Sequence, residues 1–185
     1  MELKLPFPDS FTTHSAFIVP IGLLDKTLLK NLAKILDEKF KIRFYIKEPI
    51  EIPIDTFNSR RGQFYSNKIF NKLKKYEGKR VLGIIDQDLY AQGLNFIFGQ
   101  AELPGRCALI SITRLRQEFY GLPKDDMIFF NRIIKEVMHE MGHTYGIKHC
   151  SNKDCVMFFS NSIIDTDKKS SFFCKMCRKK LGLLI

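Results

Sequence analysis

Residues 139–149 read HEMGHTYGIKH and contain three of the four histidines of the chain. His139 and His143 are four residues apart, so on a helix both imidazoles project from one face and can reach the same ion. Gly146 permits the left-handed backbone that ends a helix, and the following turn brings His149 back to that face. Three neutral imidazoles leave a fourth position open for water, which is the arrangement of catalytic zinc.

Glu140 follows the first histidine of this segment, on the side where a zinc-bound water would lie. Zinc lowers the pKa of its bound water to about 7 and polarises a carbonyl group. A carboxylate beside that water can accept its proton and deliver it to a departing amine. The pattern therefore predicts a zinc hydrolase with Glu140 as general base. The alternative is an ordinary amphipathic helix with scattered histidines, in which case this spacing would have arisen by chance.

Strand and helix patterns alternate upstream of this segment. The predicted strands are 15–21, 42–46, 80–86, 95–102 and 107–113, and the predicted helices follow Asp25, cover 66–76, and run from Asp125 to about Gly146. Residues 49–64 are predicted to be a loop or an irregular excursion. The Pro-Gly pair at 104–105 predicts an antiparallel hairpin. This order predicts an α/β fold with a mostly parallel sheet and one antiparallel edge strand.

Length and composition predict one soluble domain over residues 1–185. The chain is 45% hydrophobic and 27% charged, close to globular averages. No segment offers the roughly 20 apolar residues of a membrane span, and the N-terminus lacks a secretory apolar run, so we expect a cytoplasmic protein. We expect two subdomains, residues 1–146 ending in the histidine helix and residues 147–185 containing most of the cysteines.

Four of the five cysteines, Cys150, Cys155, Cys174 and Cys177, lie within 28 residues as a C-x4-C and a C-x2-C pair. In a reducing compartment this spacing favours a closed, structural zinc site with four thiolates. The alternatives are two disulfides or four unrelated core cysteines. Cys107 lies in an apolar run and is predicted to be a core residue.

The net charge of +10 is concentrated near the C-terminus, where six basic residues and no acidic ones follow position 167. We interpret them as a solvated surface whose charge partly neutralises a thiolate-bound zinc. A nucleic-acid partner is a less favoured interpretation.

The pattern HExxHxxGxxH with a methionine soon after it resembles the metzincin clan of metallopeptidases. Met157 is the candidate for the methionine turn under the metal, unless it is simply a core residue. Five further segments narrow the resemblance to the archaemetzincin family. Three follow the third histidine: the Cys150-to-Cys155 spacing followed by Val156-Met157, Phe159-Ser160-Asn161-Ser162, and Cys174-Lys175-Met176-Cys177. Two lie upstream: Asp86-Gln87-Asp88-Leu89-Tyr90 and Gly93-Leu94-Asn95-Phe96-Ile97-Phe98-Gly99.

This resemblance implies a zinc metallopeptidase with a metzincin-like mixed sheet, an active-site helix and a small zinc-stapled C-terminal subdomain. It implies two zinc ions per chain, a peptide substrate lying along the edge strand near 95–102, and aminopeptidase-like cleavage. The chain begins close to its first predicted strand, so we expect no pro-segment and an activity limited to short or unfolded peptides. Two alternatives remain, a zinc-stabilised binding module with a vestigial site and a hydrolase of small non-peptide substrates. Glu140 argues against the first.

Overall fold

The computed structural model describes residues 15–182. Its strands are β1 (Ala16–Ile21), β2 (Phe44–Ile46), β3 (Phe57–Asn58), β4 (Gln63–Tyr65), β5 (Arg80–Ile85), β6 (Leu89–Tyr90), β7 (Gly99–Ala101) and β8 (Cys107–Ser111). Its helices are α1 (Lys26–Phe40), α2 (Ser66–Leu73), α3 (Asp126–Thr144), α4 (Ile163–Lys168) and α5 (Lys175–Lys180).

Five strands form the central sheet in the order β2-β1-β5-β8-β7. The first four are mutually parallel, and β1, β5 and β8 are buried along almost their whole length, as expected for strands covered on both faces. Only β7 runs antiparallel to its neighbour in this sheet, with Gly99 opposite Ile110, and it lies at the edge. The predicted mostly parallel sheet with one antiparallel edge strand is confirmed.

Helices cover the two faces of this sheet, and alternate residues of each strand face opposite cores. Ile18 and Leu82 belong to the core beneath α1 and α3. Val19 and Val81 belong to the core beneath α2. The N-cap of α1 is Asp25, as predicted, and its carboxylate accepts hydrogen bonds from two backbone N–H groups of the first turn at 2.6 and 2.9 Å.

Residues 49–64 are more ordered than the predicted loop. They contain β3 and most of β4, which join β6 in a second sheet of three strands. Each of these strands has only two or three residues. Such short strands have no detectable alternation, so the prediction of a loop was wrong for a physical reason. The same holds for α4 and α5, which have six residues each and lie where no periodicity is visible.

Within residues 15–182, no helix combines the length and the apolar character needed to cross a membrane.

Candidate active site

Helix α3 carries His139, Glu140 and His143, the first part of the histidine motif, and packs against the sheet. Its N-cap is Asp125, whose carboxylate accepts hydrogen bonds from two backbone N–H groups at 2.9 Å each. Val137 and Met141 are fully buried in the main core. His139 and His143 project from another side of the helix toward a cleft. The helix is therefore fixed by its apolar face, and the imidazoles are left free for ligation.

The chain turns sharply after α3, and this turn completes the histidine group. Gly146 has a φ of +83°, a conformation that suits glycine, as the sequence predicted. The ring of His149 then lies 5.3 Å from that of His139 and 4.9 Å from that of His143, between centroids. One nitrogen of each of the three rings lies within 4.8 Å of the others. The structure thus brings the three predicted ligands together.

The hydrogen bonds of the His139 and His143 rings orient both imidazoles so that they can bind a cation between them. His139 Nδ1 lies 2.8 Å from the carbonyl oxygen of Val156, and His143 Nδ1 lies 2.7 Å from that of Ile147. A carbonyl only accepts, so both Nδ1 atoms carry the hydrogen and, in the neutral rings, both Nε2 atoms present lone pairs. These two Nε2 atoms are 3.1 Å apart. Two facing lone pairs repel each other unless a cation binds them.

Burial favours the neutral, ligating form of all three rings. It lowers the pKa of His139 well below its ordinary value, with the charge of Lys169 acting in the same direction. Burial likewise lowers the pKa of His143 and of His149. A neutral imidazole is the form that binds zinc. The donor set therefore fits Zn²⁺.

Glu140 is buried between α3 and the edge strand. A Cβ added to Gly99 of β7 would come within 2.5 Å of its Cγ atom, so the absence of a side chain at position 99 makes room for the carboxylate. Burial, together with the nearby charge of Glu136, raises the pKa of Glu140 to about 8, while Lys169 opposes this shift. A cation bound by the three histidines would favour the ionised carboxylate, which is the form that accepts a proton.

A cleft of about 490 Å³ opens above the three histidines. One part of its wall is formed by residues 94–99, another part by residues 159–161, and α3 contributes Glu136, His139, Glu140 and His143. The lining is mainly apolar, with Leu94, Leu103 and Phe159 about half exposed. Among the described residues that line it, none is Lys or Arg, and Glu136 contributes a carboxylate.

The four clustered cysteines form a second group of potential ligands. Their sulfur atoms lie within 4.8 Å of one another, and all five cysteines of the chain are free thiols. Cys150 Sγ and Cys174 Sγ are 3.9 Å apart, which is contact rather than a disulfide. Burial raises the pKa of Cys155 and of Cys177, whereas at Cys174 burial is outweighed by hydrogen bonds that lower the pKa. A nearby cation therefore favours ionisation of the buried thiols. This group is closed on all sides by sulfur and fits structural zinc.

Met157 and Cys107 lie where the sequence placed them. Met157 is fully buried against α3, and a Cβ added to Gly142 would come within 2.5 Å of its sulfur. Gly142 lies next to His143, so this methionine packs against α3 beside the histidines. Cys107 is buried in β8, and burial raises the pKa of its thiol to about 11.

Sequence reasoning missed Lys169 and Glu136, which are both buried near the histidines. Lys169 was expected on a solvated surface but has no exposed side chain, because its ammonium lies 3.0 Å from Glu136 Oε1 inside the protein. The prediction of a uniformly solvated basic tail is wrong at this residue. Glu136 is one turn before Glu140 on α3, and this four-residue spacing was the signal in the sequence that placed Glu136 on the same face as Glu140.

Converging imidazoles, an adjacent buried carboxylate and an open cleft are features of the zinc hydrolases. The model of peptidase family M54 matches residues 26–182 of the chain. The archaemetzincin of Methanocaldococcus jannaschii is 49% identical over 164 residues, which cover 89% of this chain and 90% of that protein. The archaemetzincin of Pyrococcus furiosus is 43% identical over 175 residues, with 89% and 90% covered.

Solved structures agree with these sequence matches. The crystal structure of archaemetzincin from Methanopyrus kandleri gives a TM-score of 0.79 at 33% identity and covers 92% of this chain and 94% of that one. The zinc-dependent peptidase of Methanocorpusculum labreanum gives a TM-score of 0.81 at 25% identity, with 90% and 100% covered. The chain therefore belongs to peptidase family M54, the family of the archaemetzincins, and is a zinc metallopeptidase. The predicted fold class, activity and use of zinc are confirmed.

Proposed function

We propose that His139, His143 and His149 hold a catalytic zinc ion and that Glu140 is the general base of peptide hydrolysis. The observation that carries this proposal is the pair of Nε2 lone pairs 3.1 Å apart, with both Nδ1 hydrogens donated to carbonyl oxygens. When bound, zinc supplies an acidified water and polarises the scissile carbonyl. A Glu140 carboxylate oxygen accepts the proton of that water and later donates it to the departing amine.

The edge strand β7 gives an extended peptide a place to lie. Phe98, Gly99 and Ala101 all line the cleft, and within residues 15–182 β7 pairs in the central sheet with β8 alone. An edge strand can pair with a peptide through main-chain hydrogen bonds. Such a peptide would pass directly over Gly99, behind which Glu140 lies.

We propose that the substrates are short or unfolded peptides with apolar side chains near the scissile bond. A cleft of about 490 Å³ has room for only a few residues, and its walls are mainly apolar. Its lining has no basic side chain, among the described residues, that would hold a C-terminal carboxylate. This lining favours cleavage near the N-terminus of a peptide over removal of C-terminal residues.

We further propose a second, structural zinc at Cys150, Cys155, Cys174 and Cys177, which gives two zinc ions per chain. Met157 then supports the catalytic histidines from below. In this arrangement, residues 1–146 and 147–185 are two parts of one domain. Five free thiols favour a reducing compartment, and we propose the cytoplasm. The basic residues of α5 lie beside Cys174 and Cys177, so neutralising thiolates accounts for them without nucleic acid.

Zinc content and peptide hydrolysis measured together test this proposal. We expect two zinc ions per chain in the wild type and in Glu140→Gln, with hydrolysis lower by roughly 10²- to 10⁴-fold in the variant. Glu48→Gln, an exposed substitution, serves as the matched control. A wild type with two zinc ions and no hydrolysis of any peptide in a mixed library would favour the binding-module alternative.

A further inference from the structure

One side of α3 is attached to the segment that follows Met157. Arg132 donates two hydrogen bonds to the carboxylate of Asp167, at 2.7 and 2.6 Å. Lys135 donates to the backbone carbonyls of Thr166 and Asp167, at 3.0 and 2.8 Å. The spacing of Arg132, Lys135 and Glu136 places them on one face of the helix. This face fixes α4 against the helix that carries the histidines.

The innermost of these attachments is a buried ion pair. Lys169 Nζ lies 3.0 Å from Glu136 Oε1, and both side chains are almost completely buried. Thr166 Oγ1 donates to the same carboxylate oxygen at 3.0 Å. Apart from this ion pair, the Lys169 ammonium has no hydrogen-bond partner within residues 15–182. Glu136 is therefore the group that keeps this ammonium in the interior, since an unpaired buried charge is strongly unfavourable.

The same segment continues into one wall of the cleft. Asp165 of α4 accepts hydrogen bonds from the backbone N–H groups of Asn161 and Ser162, at 3.2 and 3.1 Å. Phe159 lies at the other end of this wall, with its ring 4.7 Å from that of His149. The wall 159–161 is thus joined to α4 by Asp165. Side chains of α3 hold α4 itself, and the buried pair fixes the chain at Lys169, the residue that directly follows α4.

We propose that Glu136 and Lys169 are positioning residues that set the distance between the wall 159–161 and the histidine helix. Through that distance they determine which side chains the cleft accepts. This inference rests on the proposed peptidase function of the cleft. It assigns to the pair an effect on substrate selection, in addition to any effect on folding.

Two competing roles for the pair have different consequences. A purely structural role lowers the melting temperature and leaves the selectivity of the folded enzyme unchanged. A purely electrostatic role toward Glu140 lowers kcat and shifts the pH profile, with selectivity again unchanged. Only a positioning role changes KM differently for peptides with large and small side chains.

Lys169→Met tests the proposal, and Lys168→Met is the matched control because Lys168 is the exposed neighbour of Lys169. Steady-state kinetics use two peptides that differ only in a Phe or an Ala next to the scissile bond. We expect the ratio of KM values for the two peptides to change by about tenfold in Lys169→Met, with both zinc ions retained. We expect no change in Lys168→Met.

A spectroscopic measurement gives a readout that does not need activity. The chain contains no tryptophan, so Phe159→Trp places a single fluorescent reporter on the wall. We expect Lys169→Met to lower the anisotropy of this reporter and to increase its quenching by acrylamide, whereas Lys168→Met leaves both unchanged. This part of the test remains valid if the wild type proves inactive on every peptide, so the two proposals can fail separately.

The double variant Glu136→Gln with Lys169→Met separates loss of positioning from loss of folding. It leaves no unpaired buried charge, so its melting temperature should recover most of what Lys169→Met loses. We expect its reporter to stay mobile and its KM ratio to stay altered. The proposal is overturned if the folded single and double variants keep the wild-type KM ratio and reporter anisotropy, whatever happens to kcat or the melting temperature.

Discussion

The histidine group and the cysteine group are adjacent in sequence and opposite in character. His149 and Cys150 are consecutive, yet the three imidazoles face a cleft of about 490 Å³ and the four sulfurs face one another. Three protein ligands leave a zinc ion a free position for water, whereas four thiolates leave none. The number of ligands and the access to solvent, more than the metal itself, separate a reactive site from a structural one.

The two groups are also connected by the backbone. The carbonyl of Val156, which orients the His139 ring, lies between Cys155 and Met157. The backbone N–H of Cys150 donates to the carbonyl of Met157 at 2.9 Å. The segment from Cys150 to Met157 therefore holds the Val156 carbonyl in place. Because this carbonyl takes the hydrogen of His139 Nδ1, the Nε2 atom of that ring is left to bind a metal ion. Orientation of a metal-binding imidazole by such an acceptor contributes to affinity and activity.

Loss of the cysteine group should affect stability more than any change at the histidine group. We expect Cys174→Ser to release one zinc ion and to lower the melting temperature by about 10 °C or more, because structural zinc contributes several kcal/mol to folding. Differential scanning calorimetry with zinc analysis measures both effects.

Cys107→Ala is the control for Cys174→Ser, since Cys107 is buried in β8 away from the other cysteines. It should keep both zinc ions and lose only a few degrees. If Cys174→Ser melts at the wild-type temperature, the cysteine group has no structural role.

Removal of the histidine-bound zinc should abolish hydrolysis with a smaller effect on folding. An ion with an open coordination position exchanges faster than one enclosed by four thiolates. We therefore expect a mild chelator to remove one zinc ion per chain, to eliminate activity and to leave the far-UV circular dichroism spectrum unchanged. Simultaneous loss of both ions at every chelator concentration would contradict the distinction between the two groups.

Local signals predicted the histidine side of this comparison well. The spacing of His139 and His143, the N-cap at Asp125 and the glycine turn at Gly146 depend on neighbours within a few residues, so the sequence displays them. Lys169 could not be assigned in this way. Its burial depends on Glu136, which is 33 positions away, and no local pattern distinguishes it from the exposed Lys168.

The cleft walls were only partly predictable for the same reason. The edge strand was recognisable from its hairpin, and the proposal that a peptide lies beside it came from resemblance to the family. The part of the wall formed by residues 159–161 takes its position from hydrogen bonds to α4. That helix has only six residues, too few for a periodic pattern.

The smallest expected effects come from two glycine-to-alanine substitutions, each of which adds one methyl group on a different side of α3. A Cβ at position 99 would lie 2.5 Å from Glu140 Cγ and 2.7 Å from its Oε1, so Gly99→Ala must displace the general base. A displacement of about 1 Å at a reacting group can cost roughly 10²-fold in rate. We expect kcat/KM to fall by about that factor, and we expect the overpacking to lower the free energy of unfolding by about 1–3 kcal/mol. Peptide hydrolysis and urea denaturation give the two values.

Gly142→Ala is the matched change on the side of α3 that faces the cysteine region. Its Cβ would lie 2.5 Å from Met157 Sδ and 2.9 Å from the Phe173 ring, and neither side chain is proposed to touch substrate. Overpacking of a core typically costs about 1–3 kcal/mol, and alanine returns about 0.5–1 kcal/mol of helix propensity. We therefore expect a net loss of about 1 kcal/mol in stability and a smaller loss of activity than in Gly99→Ala. If Gly142→Ala proves the more damaging to hydrolysis, support of the histidines by Met157 matters more than the placement of Glu140, and the two sides of the helix are not separable.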